Sequence, residues 1–174
     1  KKNPPPSGPD AEEKPAASAP APSVEKLTPA KCAQIKSAIG AGKQLIDKSL
    51  DASKDIGRAI DYAFITGGEV NSNRSRILSE VNGVINAYGN WLSKSVAANS
   101  ALKYSNKCSR EEFGSERSKL SLIEIRSTPF SNDTEIDFER LKKESRSVLS
   151  SVNTCVNDLI KSLQAAADKG GCSS

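Results

Sequence analysis

The sequence predicts an all-α protein: an elongated antiparallel up-and-down helical bundle of three long helices and one short helix, with two disulfides clustered towards one end. Apolar residues recur at three- to four-residue spacing along three segments of about 35 residues each, which is the period of an α-helix. Capping residues and glycine pairs fall at the ends of these segments. Four widely spaced cysteines indicate covalent links between the helices.

The first 27 residues have a composition of their own. They contain seven of the nine prolines, mixed with Ala and Ser, and almost no residue that could join a core. Such a stretch cannot bury enough apolar surface to offset the entropy lost on ordering. Residues 1–27 are therefore predicted to be a disordered Pro/Ala-rich tail, and residues 28–174 to form the disulfide-stapled helical bundle.

The first helix is predicted to begin at Thr28-Pro29, because Thr is a good N-cap and Pro fits the first helical position. We expect it to end at Gly67-Gly68, a typical C-terminal cap. Its predicted inner stripe is Ile35, Ile39, Gly42, Ile46, Leu50, Ile56, Ile60 and Phe64.

The second helix is predicted over roughly residues 72–105. Its expected stripe is Leu78, Val81, Ile85, Tyr88, Leu92, Val96 and Leu102. Ser109, with Glu112 three residues later, forms a capping box that predicts the start of a short third helix. That helix must end before Pro129, because the residue that precedes a proline disfavours the helical conformation.

The fourth helix is predicted to be capped near Asp133 or Thr134 and to end at Gly170-Gly171. Its expected stripe is Phe138, Leu141, Ser145, Val148, Val152, Cys155, Leu159 and Leu163. Because the loops between helices are short, neighbouring helices should run antiparallel.

The cysteines are Cys32, Cys108, Cys155 and Cys172. The chain contains no His, and no two cysteines stand two to four residues apart, so the usual zinc spacings are absent. We expect two disulfides, and all three pairings remain open. Helix order places them towards one end and leaves the end with Gly67-Gly68 and residues 127–133 free of them; we call this the free end.

The cysteine pattern also predicts an oxidising compartment. The chain begins at Lys1 and contains no Met, which we interpret as a secreted product whose signal peptide has been removed. Asn73 and Asn132 each begin an Asn-X-Ser/Thr triplet, so both are glycosylation candidates. The expected location is extracellular, with surface tethering near Gly170–Ser174 as an alternative.

Several kinds of chemistry are not expected. Without His, nucleophile pairs of the Ser-His and Cys-His types cannot form. Gly40-Ala41-Gly42-Lys43 lacks the full spacing of a phosphate-binding loop and lies within a predicted helix. We therefore expect no enzyme activity, no catalytic residue, no cofactor and no metal. A net charge of +4 is too small to indicate a nucleic-acid partner, and no apolar run is long enough for a transmembrane segment.

Three sets of residues remain as binding candidates. Contact with a partner protein is predicted at the free end through Phe64, Ile65, Glu69, Val70, Phe130 and Asp133. A basic patch on the fourth helix, which could bind a sulfated glycan, comprises Arg140, Lys143 and Arg146. An apolar pocket is predicted where glycines meet aromatic side chains, at Gly42, Ile46, Tyr88, Gly89 and Trp91.

These expectations favour a secreted non-enzymatic binding protein that acts through protein–protein contacts. Its layout is similar in general style to small secreted effectors of parasites and blood-feeding arthropods. This resemblance implies interference with host immunity or haemostasis. Two alternatives remain: a carrier of an apolar small molecule in the bundle core, and a surface-coat or tethered structural protein.

Overall fold

The computed structural model describes residues 26–59, 67–127 and 132–173. In these residues the chain forms four α-helices and a single-turn 3₁₀ helix, with no strand, which confirms the all-α bundle. The helices are α1 (Pro29–Ala59), α2 (Gly67–Ala98), α3 (Arg110–Ser121) and α4 (Asp133–Lys169), and the 3₁₀ turn is Asn106–Cys108. The three long helices α1, α2 and α4 pack on one another, and α3 lies across α2 and α4.

The core side of α1 follows an alternating three- and four-residue spacing, as in helices that pack with interlocking side chains. This differs in part from the predicted stripe, because Leu50 is 49 % exposed and lies off it. The predicted Ile60 and Phe64 lie outside the described residues. The buried residues of the stripe are Ile35, Ala38, Gly42, Leu45, Ser49, Ala52 and Ile56.

The bounds of α2 also differ from the prediction. Gly67 and Gly68 begin this helix instead of ending α1, and Glu69 in its first turn suits the positive end of the helix dipole. The helix ends at Ala98, earlier than expected, because Asn99 forms a turn. The Asn99 side chain accepts a hydrogen bond from the Ala101 amide, and its carbonyl accepts one from the Leu102 amide.

The predicted cap of α3 is present. The Ser109 hydroxyl accepts a hydrogen bond of 3.1 Å from the Glu112 amide. The helix stops at Ser121, well before Pro129, because Arg74 of α2 donates from its guanidinium to the carbonyls of Ser121 and Ile123. These carbonyls are thereby satisfied outside a helix, and the chain leaves α3 to run along α4.

Both disulfides lie towards the C-terminal end of α4. Cys32 at the start of α1 pairs with Cys172 just after α4, and Cys108 of the 3₁₀ turn pairs with Cys155 within α4. The two bonds therefore join α1 to α4 and the α2–α3 connection to α4. The opposite half of the bundle is held by side-chain packing and hydrogen bonds.

Each long helix also buries one serine in the core: Ser49, Ser95 and Ser145 are all inaccessible to solvent. The Ser49 hydroxyl donates to the Leu149 carbonyl across the α1–α4 contact, and the Ser95 hydroxyl donates to the Trp91 carbonyl within α2. The Ser145 hydroxyl has no hydrogen-bond partner in the described part of the chain. Burying such a hydroxyl opposes folding.

We therefore expect Ser145→Ala to raise the free energy of unfolding by about 1 kcal/mol, because it removes an unsatisfied polar group and improves helix propensity. Urea unfolding followed by circular dichroism measures this change. Ser49→Ala is the matched control and should give a smaller gain or a loss, since it removes a hydrogen bond between helices. A decrease for Ser145→Ala would contradict the interpretation that the hydroxyl is unsatisfied.

Candidate functional site

A groove of about 390 Å³ runs between α3 and α4 on the outside of the bundle. The side chains of Leu120, Ile123 and Val148 form its floor and belong to the buried core. Charged side chains from both helices form its rim: Glu116, Lys119, Arg140 and Glu144. An apolar floor with a few polar groups around it is typical of sites that bind another molecule.

Leu122 lies at the mouth of this groove and is 78 % exposed, although it is one of the larger apolar side chains of the protein. Ile136, one helical turn before Arg140 on α4, is 57 % exposed. Arg140 makes no hydrogen bond or ion pair within the described residues, whereas Lys119 lies 3.8 Å from Glu116. The groove thus combines the exposed Leu122 with a cation, Arg140, whose charge also acts on the Asp137 carboxylate one turn earlier.

Two arginines position the groove. As described above, Arg74 binds the carbonyls at the end of α3. Arg126 donates from its backbone amide and its guanidinium to both carboxylate oxygens of Asp137, over 2.8–3.0 Å. The segment from Leu122 to Arg126 is thereby held along α4, which presents Leu122 to solvent at a fixed place. Bidentate pairs of this kind add geometric specificity as well as energy.

The Arg126 pair lowers the pKa of the buried Asp137 carboxyl below its ordinary value, mainly through the hydrogen bond from the Arg126 side chain. Because the folded carboxyl takes up a proton at lower pH than the unfolded one, the stabilisation is complete above the unfolded-state pKa. It is lost as the pH falls through the folded-state pKa.

We expect Asp137→Asn to lower stability at neutral pH and to weaken the acid-side loss of stability. Urea midpoints measured from pH 7 downwards test this. Glu80 is an internal contrast, because burial raises the pKa of its carboxyl, so its contribution is lost as the pH rises instead. If Asp137→Asn loses as much stability as the wild-type protein when the pH falls, the Arg126–Asp137 pair does not govern that loss.

The residues predicted to contact a partner are placed as follows. Phe64, Ile65 and Phe130 lie outside the described residues. Val70 is only 3 % exposed and belongs to the core, because it continues the buried stripe of α2. Glu69 is half-buried in the first turn of α2, and Asp133 begins α4, where its carboxylate lies 3.5 Å from the Arg126 guanidinium.

The predicted basic patch does not form one surface. Arg140 lines the groove beside α3, whereas Arg146 points towards α1 and donates to the Ser53 carbonyl. Lys143 lies between them on the exposed side of α4. Successive residues of a helix are separated by about 100°, so residues six apart differ by roughly 120° around the axis.

The glycine–aromatic cluster is closely packed. A Cβ atom on Gly42 would lie 2.8 Å from the Trp91 ring and 3.0 Å from Ile160, so the indole fills the space that the missing side chain leaves. The Trp91 indole donates to the Ala38 carbonyl at 2.7 Å, which fixes the ring against α1. At Gly89 the open space is taken by the side chain of Arg110.

The remaining members of this cluster are structural contacts. Tyr88 is fully buried; its hydroxyl donates to the Cys108 carbonyl, and burial raises its pKa. Ile46 is partly buried against the core. A groove of about 360 Å³ includes Tyr88 and Gly89 in its lining, and another of about 330 Å³ includes Trp91. A ligand at Gly42 itself would have to displace the Trp91 ring.

A second groove, of about 560 Å³, lies between α1 and α2 and is acidic, with Asp47, Asp51, Asp55 and Glu80 around it. The described residues contain no group of three or more side chains that could hold a metal ion. None of the described helices is long and apolar enough to cross a bilayer.

Sequence reasoning missed the α3–α4 groove. Leu120 and Ile123 are three residues apart and share a helical face, and both are buried. Leu122 lies about 200° around the helix from Leu120, and its backbone is still helical, so this spacing was the one signal that its side chain would be exposed. A comparison of this chain with protein-family models, with curated proteins and with solved structures finds no match.

Proposed function

We propose that this protein is a secreted, non-enzymatic binding protein that holds another protein in the α3–α4 groove. The observation that carries the proposal is Leu122, whose side chain is 78 % exposed at the mouth of a groove with an apolar floor. A leucine side chain held in solvent contributes no burial free energy to the fold. A partner protein that covers Leu122 would gain that free energy on binding.

The partner chemistry follows from the rim of the groove. Leu122 and the groove floor suit an apolar anchor side chain, and Arg140 lies beside them without an ion-pair partner in the described chain. A segment that carries an apolar residue next to a carboxylate would match both. Charged groups at the edge of such a contact set orientation and association rate more than affinity.

A site-specific photo-crosslinker tests the proposal. Placed at Leu122 in the full chain, it should capture one protein from the extracellular fluid around the cells that produce this chain. Unlabelled wild-type protein should compete for that capture, and Leu122→Glu should not. If Leu122→Glu competes for the capture as well as the wild-type protein does, the groove is not the binding site.

Leu50 is the matched control. It is also an exposed leucine, at 49 %, but it lies on α1 away from the groove. Leu50→Glu should compete like wild type, and both variants should unfold within about 0.5 kcal/mol of wild type because neither side chain is in the core. Arg140→Ala should weaken competition by roughly tenfold, and this loss should shrink at high salt.

The extracellular location belongs to the same proposal. It is supported by the two disulfides, which persist in oxidising compartments. In a reducing compartment the four thiols would have to be free. Trapping thiols with an alkylating reagent in intact producing cells, followed by mass measurement, distinguishes the two cases. Four alkylated cysteines in the natural protein would contradict the extracellular location.

A further inference from the structure

We infer that Asn132 is the N-glycan acceptor of this chain and that Asn73 stays unmodified. The chain contains two Asn-X-Ser/Thr triplets, Asn73-Arg74-Ser75 and Asn132-Asp133-Thr134. The inference rests on the secretory route proposed above, but its readout is a mass and does not depend on any partner. The two asparagines differ in exposure, in local backbone structure and in hydrogen bonding.

Asn132 is exposed at the start of α4, outside the helix itself. Its side chain makes no capping hydrogen bond, and among the described residues its carbonyl accepts one from the Ile136 amide at 3.0 Å. No described residue therefore engages the Nδ2 atom, to which a glycan would attach. The Thr134 hydroxyl of the same triplet donates to the Arg126 carbonyl, which ties this turn to the segment held on α4.

Asn73 lies within α2 and is half-buried. Its Nδ2 atom donates a hydrogen bond of 2.9 Å to the Glu69 carbonyl one turn earlier. The next residue, Arg74, reaches across to the carbonyls that end α3. The Nδ2 atom of Asn73 is thus engaged within α2, and its neighbour Arg74 is held against the end of α3. A glycan on Asn73 would have to break the hydrogen bond to Glu69.

The modification is a group transfer from a polyprenyl-pyrophosphate-linked oligosaccharide. The bond from the sugar C1 to the pyrophosphate oxygen breaks, and a bond from C1 to Nδ2 of Asn132 forms. Nδ2 releases one proton, and the lipid pyrophosphate leaves. The resulting glycan would stand about 12 Å along the α4 axis from Arg140, beside the free-end side of the groove.

The test is secretion of the full chain, behind an added signal peptide, from eukaryotic cells. Intact masses are measured before and after peptide-N-glycosidase, which leaves Asp at each modified Asn. We expect one glycan, located at residue 132, which is lost in Asn132→Gln and kept in Asn73→Gln. A glycan at Asn73, or none at Asn132, would overturn the inference.

Three further variants test whether the exposure of the asparagine or the triplet itself decides glycosylation. Asn73→Thr destroys the Asn73 triplet and creates a new Asn-X-Thr triplet that begins at Asn71, an exposed asparagine of the same helix. It should gain a second glycan at Asn71, and absence of that glycan would overturn exposure as the reason. Thr134→Ser keeps both the triplet and a hydroxyl and should stay glycosylated, whereas Thr134→Ala should not.

Discussion

Replacing Cys32 and Cys172 together by Ala should lower the free energy of unfolding by about 5 kcal/mol, the largest single effect that we expect. This disulfide closes a loop of 140 residues, whereas Cys108–Cys155 closes one of 47. In the chain-entropy view a longer loop removes more freedom from the unfolded chain. The bond also joins the first turn of α1 to the end of α4.

Urea unfolding of the oxidised proteins, followed by circular dichroism, measures this loss. The matched variant replaces Cys108 and Cys155 by Ala and should lose somewhat less, about 4 kcal/mol, because its loop is shorter. Since the shorter loop lies inside the longer one, the two losses should not add. A loss below about 1 kcal/mol for Cys32→Ala/Cys172→Ala would contradict the chain-entropy argument.

Trp91→Ala should cost about 4 kcal/mol of stability, the second-largest effect. The indole is buried between α1 and α2, occupies the space that Gly42 leaves and donates to the Ala38 carbonyl. Its removal opens a cavity at the contact between the two helices and leaves that carbonyl without its tertiary donor. Thermal and urea unfolding, with wild-type protein in parallel, measure the loss.

Gly42→Ala supplies the decisive companion experiment. In the wild-type background the new methyl group would lie 2.8 Å from the Trp91 ring, so we expect a loss of about 1–3 kcal/mol from overpacking. In the Trp91→Ala background the ring is gone and the contact with the Ile160 methyl at 3.0 Å remains, so the same change should cost much less or stabilise by up to roughly 1 kcal/mol through helix propensity. An equal loss in both backgrounds would refute the packing of Gly42 on Trp91.

A glycan at Asn132 and a partner protein in the α3–α4 groove could be present on the same molecule. The groove runs along the middle of α4, and Asn132 precedes the first turn of that helix. A glycan at Asn132 would leave the groove open on its long side and would limit approach from the free end. Competition by enzymatically deglycosylated protein against photo-crosslinking at Leu122 would measure that limit directly.

The sequence by itself determined the class of the fold and the places where local signals act. Helical period, the Ser109 capping box and the start of α4 near Asp133 depend on residues a few positions apart. The structure confirms them for that reason. The number of disulfides also followed, because four cysteines without zinc spacing leave few choices.

Helix ends depended on partners elsewhere in the chain. Arg74 binds the carbonyls at the end of α3, and Arg126 binds Asp137 on α4, so the segment after Ser121 leaves the helix. Neither contact has a local signature, since 47 and 49 residues separate Arg74 from its partners and 11 separate Arg126 from Asp137. The sequence required only that α3 end before Pro129, and tertiary hydrogen bonds place its end at Ser121.

Tertiary structure alone decided which side chains meet. The disulfide pairing, the burial of Val70 and the filling of the space at Gly42 by Trp91 all depend on which helix faces which. A helical period defines one apolar face for each helix, but it does not define the neighbour on either side of that face. The groove between α3 and α4 arises from that choice of neighbours.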